Sequence, residues 1–110
     1  MPDMPVPGTR PAVEVRDVPE RRRFEATVGG ELAGFAEYEL GPDRVVFTHT
    51  EVLPPFEGRG VGSALARHAL DRVREDGRLR VVPLCPFIKG WVNRHPEYRD
   101  LTLPVSTEDR

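Results

Sequence analysis

The stretch Leu53-Pro-Pro-Phe-Glu-Gly-Arg-Gly-Val-Gly-Ser-Ala-Leu-Ala-Arg67 joins an apolar segment to a helical one through three glycines spaced two residues apart. Glycine permits the tight turns that bring successive backbone N–H groups toward one point. The helix that follows adds the positive end of its dipole at the same place. This combination is typical of a loop that binds phosphate, so the sequence predicts a phosphorylated cofactor.

The segments before this loop have the period of β-strands. Phe24, Ala26 and Val28, for example, alternate with polar residues. Gly29-Gly30 predicts a tight hairpin, and the Gly-Pro-Asp sequence that begins at residue 41 predicts a second turn. We therefore predict an antiparallel meander of four strands, which cover Val13 to Val18, Arg22 to Val28, Glu31 to Leu40 and Arg44 to Leu53.

The segments after the loop are helix, strand and helix in turn. From Val61 to Asp76 apolar residues recur every three or four positions, and Gly77 ends that helix. A short strand from Arg78 to Leu84 follows, in which Pro83 indicates the edge of a sheet, and a second helix runs from Phe87 to Arg94. Because a helix joins the fourth and fifth strands, these two should be parallel. The predicted fold class is α+β, with a mixed, mainly antiparallel sheet of about five strands and two helices.

Length and composition indicate one ordinary domain. The chain has 110 residues, 31% of them charged, and a formal net charge of -2. This balance indicates neither a nucleic-acid nor a membrane partner, and we predict a cytoplasmic protein because the first residues lack the pattern of a secretion signal. The single cysteine, Cys85, excludes an internal disulfide, and no metal site is predicted. The oligomeric state stays open, and we expect residues 1–12 to be a disordered tail and residues 102–110 to fray.

Two common phosphate-binding motifs do not fit the glycine loop. A P-loop needs a lysine after its last glycine, where this chain has Ser63 directly after Gly62. A dinucleotide fingerprint needs a different glycine spacing and an acidic residue about 20 positions further on, where this chain has Val81 and Val82. A tight turn with close helix packing remains the alternative to a phosphate site.

Glu57-Gly-Arg-Gly-Val-Gly-Ser63 resembles the acetyl-CoA pyrophosphate loop of the GNAT acetyltransferase superfamily, whose pattern is Q/R-x-x-G-x-G/A. Arg59, Gly60 and Gly62 match, whereas Glu57 stands where the pattern has Gln or Arg. Two further segments, at residues 82–87 and 93–98, extend the resemblance to the small stand-alone GNAT-like N-acetyltransferase domains over about residues 13–101. The resemblance implies a compact, shortened GNAT fold that uses acetyl-CoA as cosubstrate and acetylates an amine on a small molecule or a peptide.

The resemblance also implies which residues hold the cofactor. Backbone N–H groups near Val52 and Leu53 would bind the pantetheine arm like an added strand, where the fourth and fifth strands diverge. The Arg59 side chain either adds a direct charge or stays solvated, and its backbone N–H is the firmer part of the hypothesis. The pyrophosphate would lie on the loop and first helical turn, at Arg59, Gly60, Val61, Gly62 and Ser63.

His49 and Cys85 are the candidate catalytic residues. Alternation along the fourth strand predicts His49 on the side of Phe47 and Leu53, where it is either a packed strand residue or a general base for the acceptor amine. Cys85 comes just before the second helix and is either a small buried apolar residue or a group beside the thioester. There it lines the pocket or helps protonate the leaving thiolate in direct transfer, or it is S-acetylated first. Direct transfer is favoured because most GNAT enzymes use it.

Three further features are interpreted as structural. Tyr98 is taken as an aromatic anchor with its hydroxyl at the surface, rather than as a general acid. Phe87 and Trp91 are predicted to pack the last helix on the sheet, and the basic run at residues 21–23 to be a solvated strand edge.

Besides an acetyltransferase, a CoA-binding module without turnover and an interaction scaffold remain as functional classes.

Overall fold

The structure is a computed structural model that describes residues 12–103, and it contains one five-stranded sheet in the order β1-β2-β3-β4-β5. The first four strands form an antiparallel meander, and β5 pairs in parallel with β4. Both features confirm the predicted topology. The strands are β1 (Val13–Val18), β2 (Arg23–Val28), β3 (Glu31–Leu40), β4 (Arg44–Val52) and β5 (Arg80–Pro83).

Two α-helices lie against this sheet, α1 (Val61–Asp76) and α2 (Pro86–Arg94). Gly60 precedes α1 and Gly77 follows it, and both adopt left-handed backbone angles, with φ of 79° and 77°, that glycine accepts without strain. The apolar stripe of α1 is buried on the sheet, and α2 packs beside it on β4, β5 and α1. Short 3-10 turns cover Pro19–Arg21, Pro54–Phe56 and Pro96–Leu101.

The other face of the sheet, called the open face below, is covered by no element within residues 12–103. It carries the residues of β2 and β3 that alternate with the core positions, among them Glu25 and Phe35, which are paired in register. Arg23 also lies here, with its guanidinium 4.4 Å from the Phe35 ring and its Nε 2.8 Å from the Glu25 carboxylate. Arg23 is therefore part of a packed cluster and not of a solvated edge as predicted.

A β-bulge changes the alternation of β4. Glu37 lies opposite His49 and Tyr38 lies opposite Phe47, so Thr48 is an extra residue in the ladder. Beyond it the inward positions are Thr50 and Val52, and His49 points to the open face. The prediction that His49 lies on the same side of the sheet as Phe47 is wrong, because strict alternation does not hold across Thr48, which has no partner in β3.

The described chain continues two residues past the predicted domain end. The Leu103 N–H donates to the Val81 carbonyl at 2.7 Å, and Thr102 forms an isolated parallel bridge with Val81. Arg74 fixes the preceding turn, with both Asp100 carboxylate oxygens at 3.1 Å. Most of the two predicted tails lies outside the described residues. No helix between residues 12 and 103 has the length and apolar character needed to cross a bilayer.

Candidate active site

A groove of about 380 Å³ lies between the glycine loop and α2. The loop and the first turn of α1 form one wall, and one side of α2 forms the other. Val52, at the end of β4, lies at its base. The lining residues are Val52, Glu57, Gly58, Gly60, Val61, Gly62, Ser63, Phe87, Trp91, Arg94 and His95.

The first turn of α1 offers unbonded backbone donors to this groove. The first intrahelical bond runs from the Ala64 N–H to the Gly60 carbonyl, which leaves the N–H groups of Val61, Gly62 and Ser63 without helical partners. Gly60 precedes them and has no side chain with which to cap them. Three donors and the positive end of the helix dipole thus meet at one wall, as a bound anion requires.

The charged residues of the loop are arranged differently from the expectation. The Arg59 guanidinium lies 5.6 Å from the Phe56 ring, and Arg59 is not among the groove-lining residues. Glu57 does line the groove and brings a negative charge to it. Two basic side chains that the sequence analysis did not single out, Arg94 and His95, lie on the opposite wall.

The α2 wall is built around Trp91, which is 1% exposed. Its indole N–H donates to the Ser63 hydroxyl at 2.8 Å, which ties α2 to the first turn of α1. The His95 ring stacks on the indole at 3.8 Å, and its Nδ1 donates to the Trp91 carbonyl at 2.8 Å. Phe87 lies directly on Gly62, where an added Cβ would be 2.7 Å from the ring.

Trp91 belongs to the hydrophobic core, as predicted, and both Phe87 and Trp91 also line the groove and contact the first turn of α1. The signal was present in the sequence, because residues 87, 91, 94 and 95 share one helical face. The aromatic rings of Phe87 and Trp91 predict a core contact, and that pattern alone does not distinguish the sheet from a groove.

β4 and β5 separate before β4 reaches the groove at Val52. Their pairing stops at Phe47 and Pro83, and the Cys85 N–H then donates to the Phe47 carbonyl at 2.9 Å. Cys85 is 2% exposed, and its thiol donates to the Thr50 hydroxyl at 3.3 Å. Cys85 thus lies at the divergence of β4 and β5 and within the core.

The backbone of β4 is open on the side that β5 has left. The Leu53 N–H donates to the Ala33 carbonyl at 2.8 Å, so Leu53 is not available for the predicted contact with a cofactor. Antiparallel ladders alternate between bonded and non-bonded pairs. Val52, opposite Gly34, is therefore in a non-bonded pair, and its N–H points away from β3 toward the gap.

His49 is separated from these groups by the strand itself. Its side chain is 55% exposed on the open face, with Nε2 at 3.2 Å from a Glu51 carboxylate oxygen. Its ring lies 6.1 Å from that of Phe35. The structure brings Cys85 to Thr50 and His49 to Glu51, and it does not bring the two candidate catalytic residues together.

Tyr98 anchors the C-terminal segment as predicted, packing 5.2 Å from Trp91. Its hydroxyl, however, is not at the surface, because it donates to the Asp71 carboxylate at 2.7 Å and accepts from Arg67 at 3.4 Å. Burial and the bond to Asp71 raise the pKa of Tyr98. This hydroxyl is held beneath Trp91 as a structural donor.

The Tyr98→Phe variant is expected to be less stable at neutral pH by about 1 kcal/mol, the usual net value of such a hydrogen bond. Since the pKa of Tyr98 is higher in the folded state, its contribution is complete below the unfolded pKa of about 10 and is lost as the pH rises through the folded value. Urea unfolding at pH 8 and above pH 10 should show the difference from wild type shrinking. A constant difference would contradict the assignment.

Known proteins with similar sequences and folds agree with one another. The family model described as GCN5-related N-acetyl-transferase matches residues 23–101. Streptothricin acetyltransferase of Streptomyces lavendulae is 38% identical over 66 residues, which are 58% of this chain and 35% of that protein. The chain thus spans about a third of that relative's length. Protein NATD1 of Xenopus tropicalis is 31% identical over 87 residues, covering 77% of this chain and 79% of that protein.

A solved structure of another protein has a similar fold. The solution structure of a GCN5-like protein from Staphylococcus aureus superimposes with a TM-score of 0.64 over 88% of this chain and 94% of that chain, at 20% identity. The mixed sheet with its two helices is therefore a known fold. Because the family model covers most of the sequence, the chain belongs to the GCN5-related N-acetyltransferase family.

Proposed function

We propose that the protein transfers the acetyl group of acetyl-CoA directly to an amine on a small molecule or a peptide. The observation that carries this proposal is a groove with free helical N–H donors on one wall and an unpaired strand edge at its base. A phosphate and an extended amide-containing arm need those two features in that order. The family supports the same cosubstrate.

The pyrophosphate of acetyl-CoA fits the N–H groups of Val61, Gly62 and Ser63. The pantetheine arm fits along β4, where the Val52 N–H is free to bond to an amide of the arm as a neighbouring strand would. This path ends at the divergence of β4 and β5, beside Thr50 and Cys85. The thioester is therefore proposed to lie in that gap.

Transfer requires a neutral amine to attack the thioester carbonyl carbon, so that a C–N bond forms and the C–S bond breaks. The amine gives up a proton, and the leaving thiolate is neutralised by one. We propose His49 as the group that accepts the amine proton, because it is exposed on the open face and bonded to the Glu51 carboxylate, which orients the ring. The acceptor then approaches from the open face.

Direct transfer is favoured over an acetylated Cys85. The Cys85 thiol is buried and already donates to Thr50, whereas a covalent route needs an accessible thiolate. In direct transfer the Cys85 thiol donates to Thr50, and the Thr50 hydroxyl is the group of this pair that passes a proton to the leaving sulfur. Intact-mass measurement after incubation with acetyl-CoA should show no stable acetyl adduct.

Thermal unfolding with acetyl-CoA and a CoA-release assay test the proposal together. The unfolding midpoint should rise with acetyl-CoA concentration, because a ligand that binds the folded state stabilises it by mass action. Release of CoA in the presence of small amines or peptides with free amino groups should then follow. Stabilisation without release would favour a binding module, and neither effect would favour a scaffold.

Replacing His49 with alanine is expected to lower turnover by about 100-fold, the lower end of general-base contributions, with little change in acetyl-CoA affinity. The affinity should persist because His49 and the groove lie on opposite faces of β4. Added imidazole should restore part of the rate if the lost group is a base. Unchanged turnover would remove His49 from the mechanism.

A further inference from the structure

The outer end of the groove holds a cation that the proposed chemistry does not use. Arg94 is the last residue of α2, is exposed, and lines the groove. Within residues 12–103 no carboxylate lies within ion-pair distance of its guanidinium. Arg21, Arg44, Arg74 and Arg78, by contrast, each pair with a nearby acid. An unpaired arginine in a groove is available for an anion.

The bond between Trp91 and Ser63 fixes the position of Arg94 relative to the pyrophosphate. Ser63 is part of the helical turn proposed to bind the pyrophosphate, so Trp91 marks the same level on the opposite wall. Arg94 lies three residues further along α2, which is about 4.5 Å along the helix axis. Cys85 marks the other direction, toward the thioester.

CoA has its own order of groups along this axis. The thioester and the pantetheine arm lie on one side of the pyrophosphate, and the adenosine with its 3′-phosphate lies on the other. Because Arg94 lies beyond the pyrophosphate level and away from Cys85, the group that meets it belongs to the adenosine end. A guanidinium is suited to a phosphate, which it binds through two parallel hydrogen bonds.

The surroundings of Arg94 favour the same ligand. The His95 ring is stacked on the indole of Trp91, and the Arg67 guanidinium lies 5.2 Å from that indole. Arg94 and His95 are the basic side chains on the α2 wall, whereas the loop wall carries the Glu57 carboxylate, and Arg67 itself does not line the groove. A dianionic group is therefore attracted to the α2 side of the groove, away from Glu57.

We propose that Arg94 binds the 3′-phosphate of CoA and makes the protein prefer CoA to 3′-dephospho-CoA. The inference rests on the proposed use of acetyl-CoA. It adds a residue on α2 that recognises one phosphate, separate from the backbone donors that bind the pyrophosphate. In the sequence, the spacing of Arg94 puts it on the same helical face as Phe87 and Trp91.

Calorimetric titration with CoA and with 3′-dephospho-CoA tests the assignment in four proteins. Wild type should bind CoA about tenfold more tightly, the factor expected for a charge-assisted hydrogen bond. Arg94→Gln should lose that preference by weakening CoA alone, with its affinity for 3′-dephospho-CoA unchanged. Lys89→Gln, which removes a cation from another side of α2, should behave as wild type. Arg94→Lys should recover part of the preference.

The other results each have a definite meaning. Equal affinity of wild type for the two ligands would overturn this inference and leave the proposed function in place. An Arg94→Gln variant weakened equally toward both would also overturn it, because Arg94 would then contact the pyrophosphate. Binding of neither ligand to wild type would overturn the proposed function and this inference together.

Discussion

Replacing Gly34 with alanine is expected to lower the free energy of unfolding by about 3 kcal/mol, the upper part of the range for overpacking. A Cβ at this position would lie 2.6 Å from the Glu51 carbonyl oxygen and 3.1 Å from a methyl group of Val61. The first of these is a backbone atom that cannot rotate away, so β3 and β4 must separate. Since small domains are stable by about 5–15 kcal/mol, the loss is large, and urea unfolding would measure it.

Gly41→Ala is the matched control for this substitution. Its Cβ would meet chiefly the flexible side chain of Arg44, at 3.2 Å, so the expected change is within about 0.5 kcal/mol. Gly34→Ala should also weaken acetyl-CoA binding, because Val52 and Val61 both line the groove. Equal stabilities for the two variants would show that β3 and β4 do not approach so closely.

Replacing Gly62 with valine is expected to reduce acetyl-CoA affinity on the order of 100-fold, or about 2.7 kcal/mol, in a protein that remains folded. The Cβ would lie 2.7 to 3.3 Å from three atoms of the Phe87 ring. That ring is 37% exposed at the edge of the groove, so it can move, and the space it takes is the space proposed for the cofactor. Fluorescence or calorimetric titration would measure the affinity.

Gly77→Ala is the control for this second variant. It lies at the other end of α1 in a left-handed conformation with open space around it, so it should cost about 1 kcal/mol of stability without affecting the groove. If Gly62→Val binds acetyl-CoA as wild type does, the cofactor does not pass between α1 and Phe87. That result would redirect attention to another surface.

The sequence was sufficient for the strands, the helices and their order because each has a clear local signal. The alternation in β2, the glycine pair after it and the glycine at the end of α1 are all short-range patterns. The parallel pairing of β4 and β5 followed from the helix between them. The glycine loop was also recognisable, because its spacing and the helix after it are contiguous in the chain.

The remaining features depend on contacts between distant segments. Gly34 is needed because residues 51 and 61 approach it, and nothing near it in the sequence shows this. The engagement of Leu53 with Ala33 depends on strand register, which a bulge had altered. Helical spacing puts Arg94 on the same face as Phe87 and Trp91, but its lack of an acidic partner depends on side chains that are distant in the sequence.

The unpaired residue in β4, Thr48, puts the residues proposed to serve the two substrates on opposite faces of one strand. Val52 lines the groove and Thr50 bonds to Cys85, while His49 and Glu51 face the side from which the acceptor is proposed to come. Deleting Thr48 would restore strict alternation along β4. The side chains on one side of the deletion would then point to the opposite face of the sheet. The number of residues between Phe47 and His49 thus decides which face of the sheet each later side chain of β4 occupies. Insertions or deletions there should therefore be far less tolerated than substitutions at Thr48 itself.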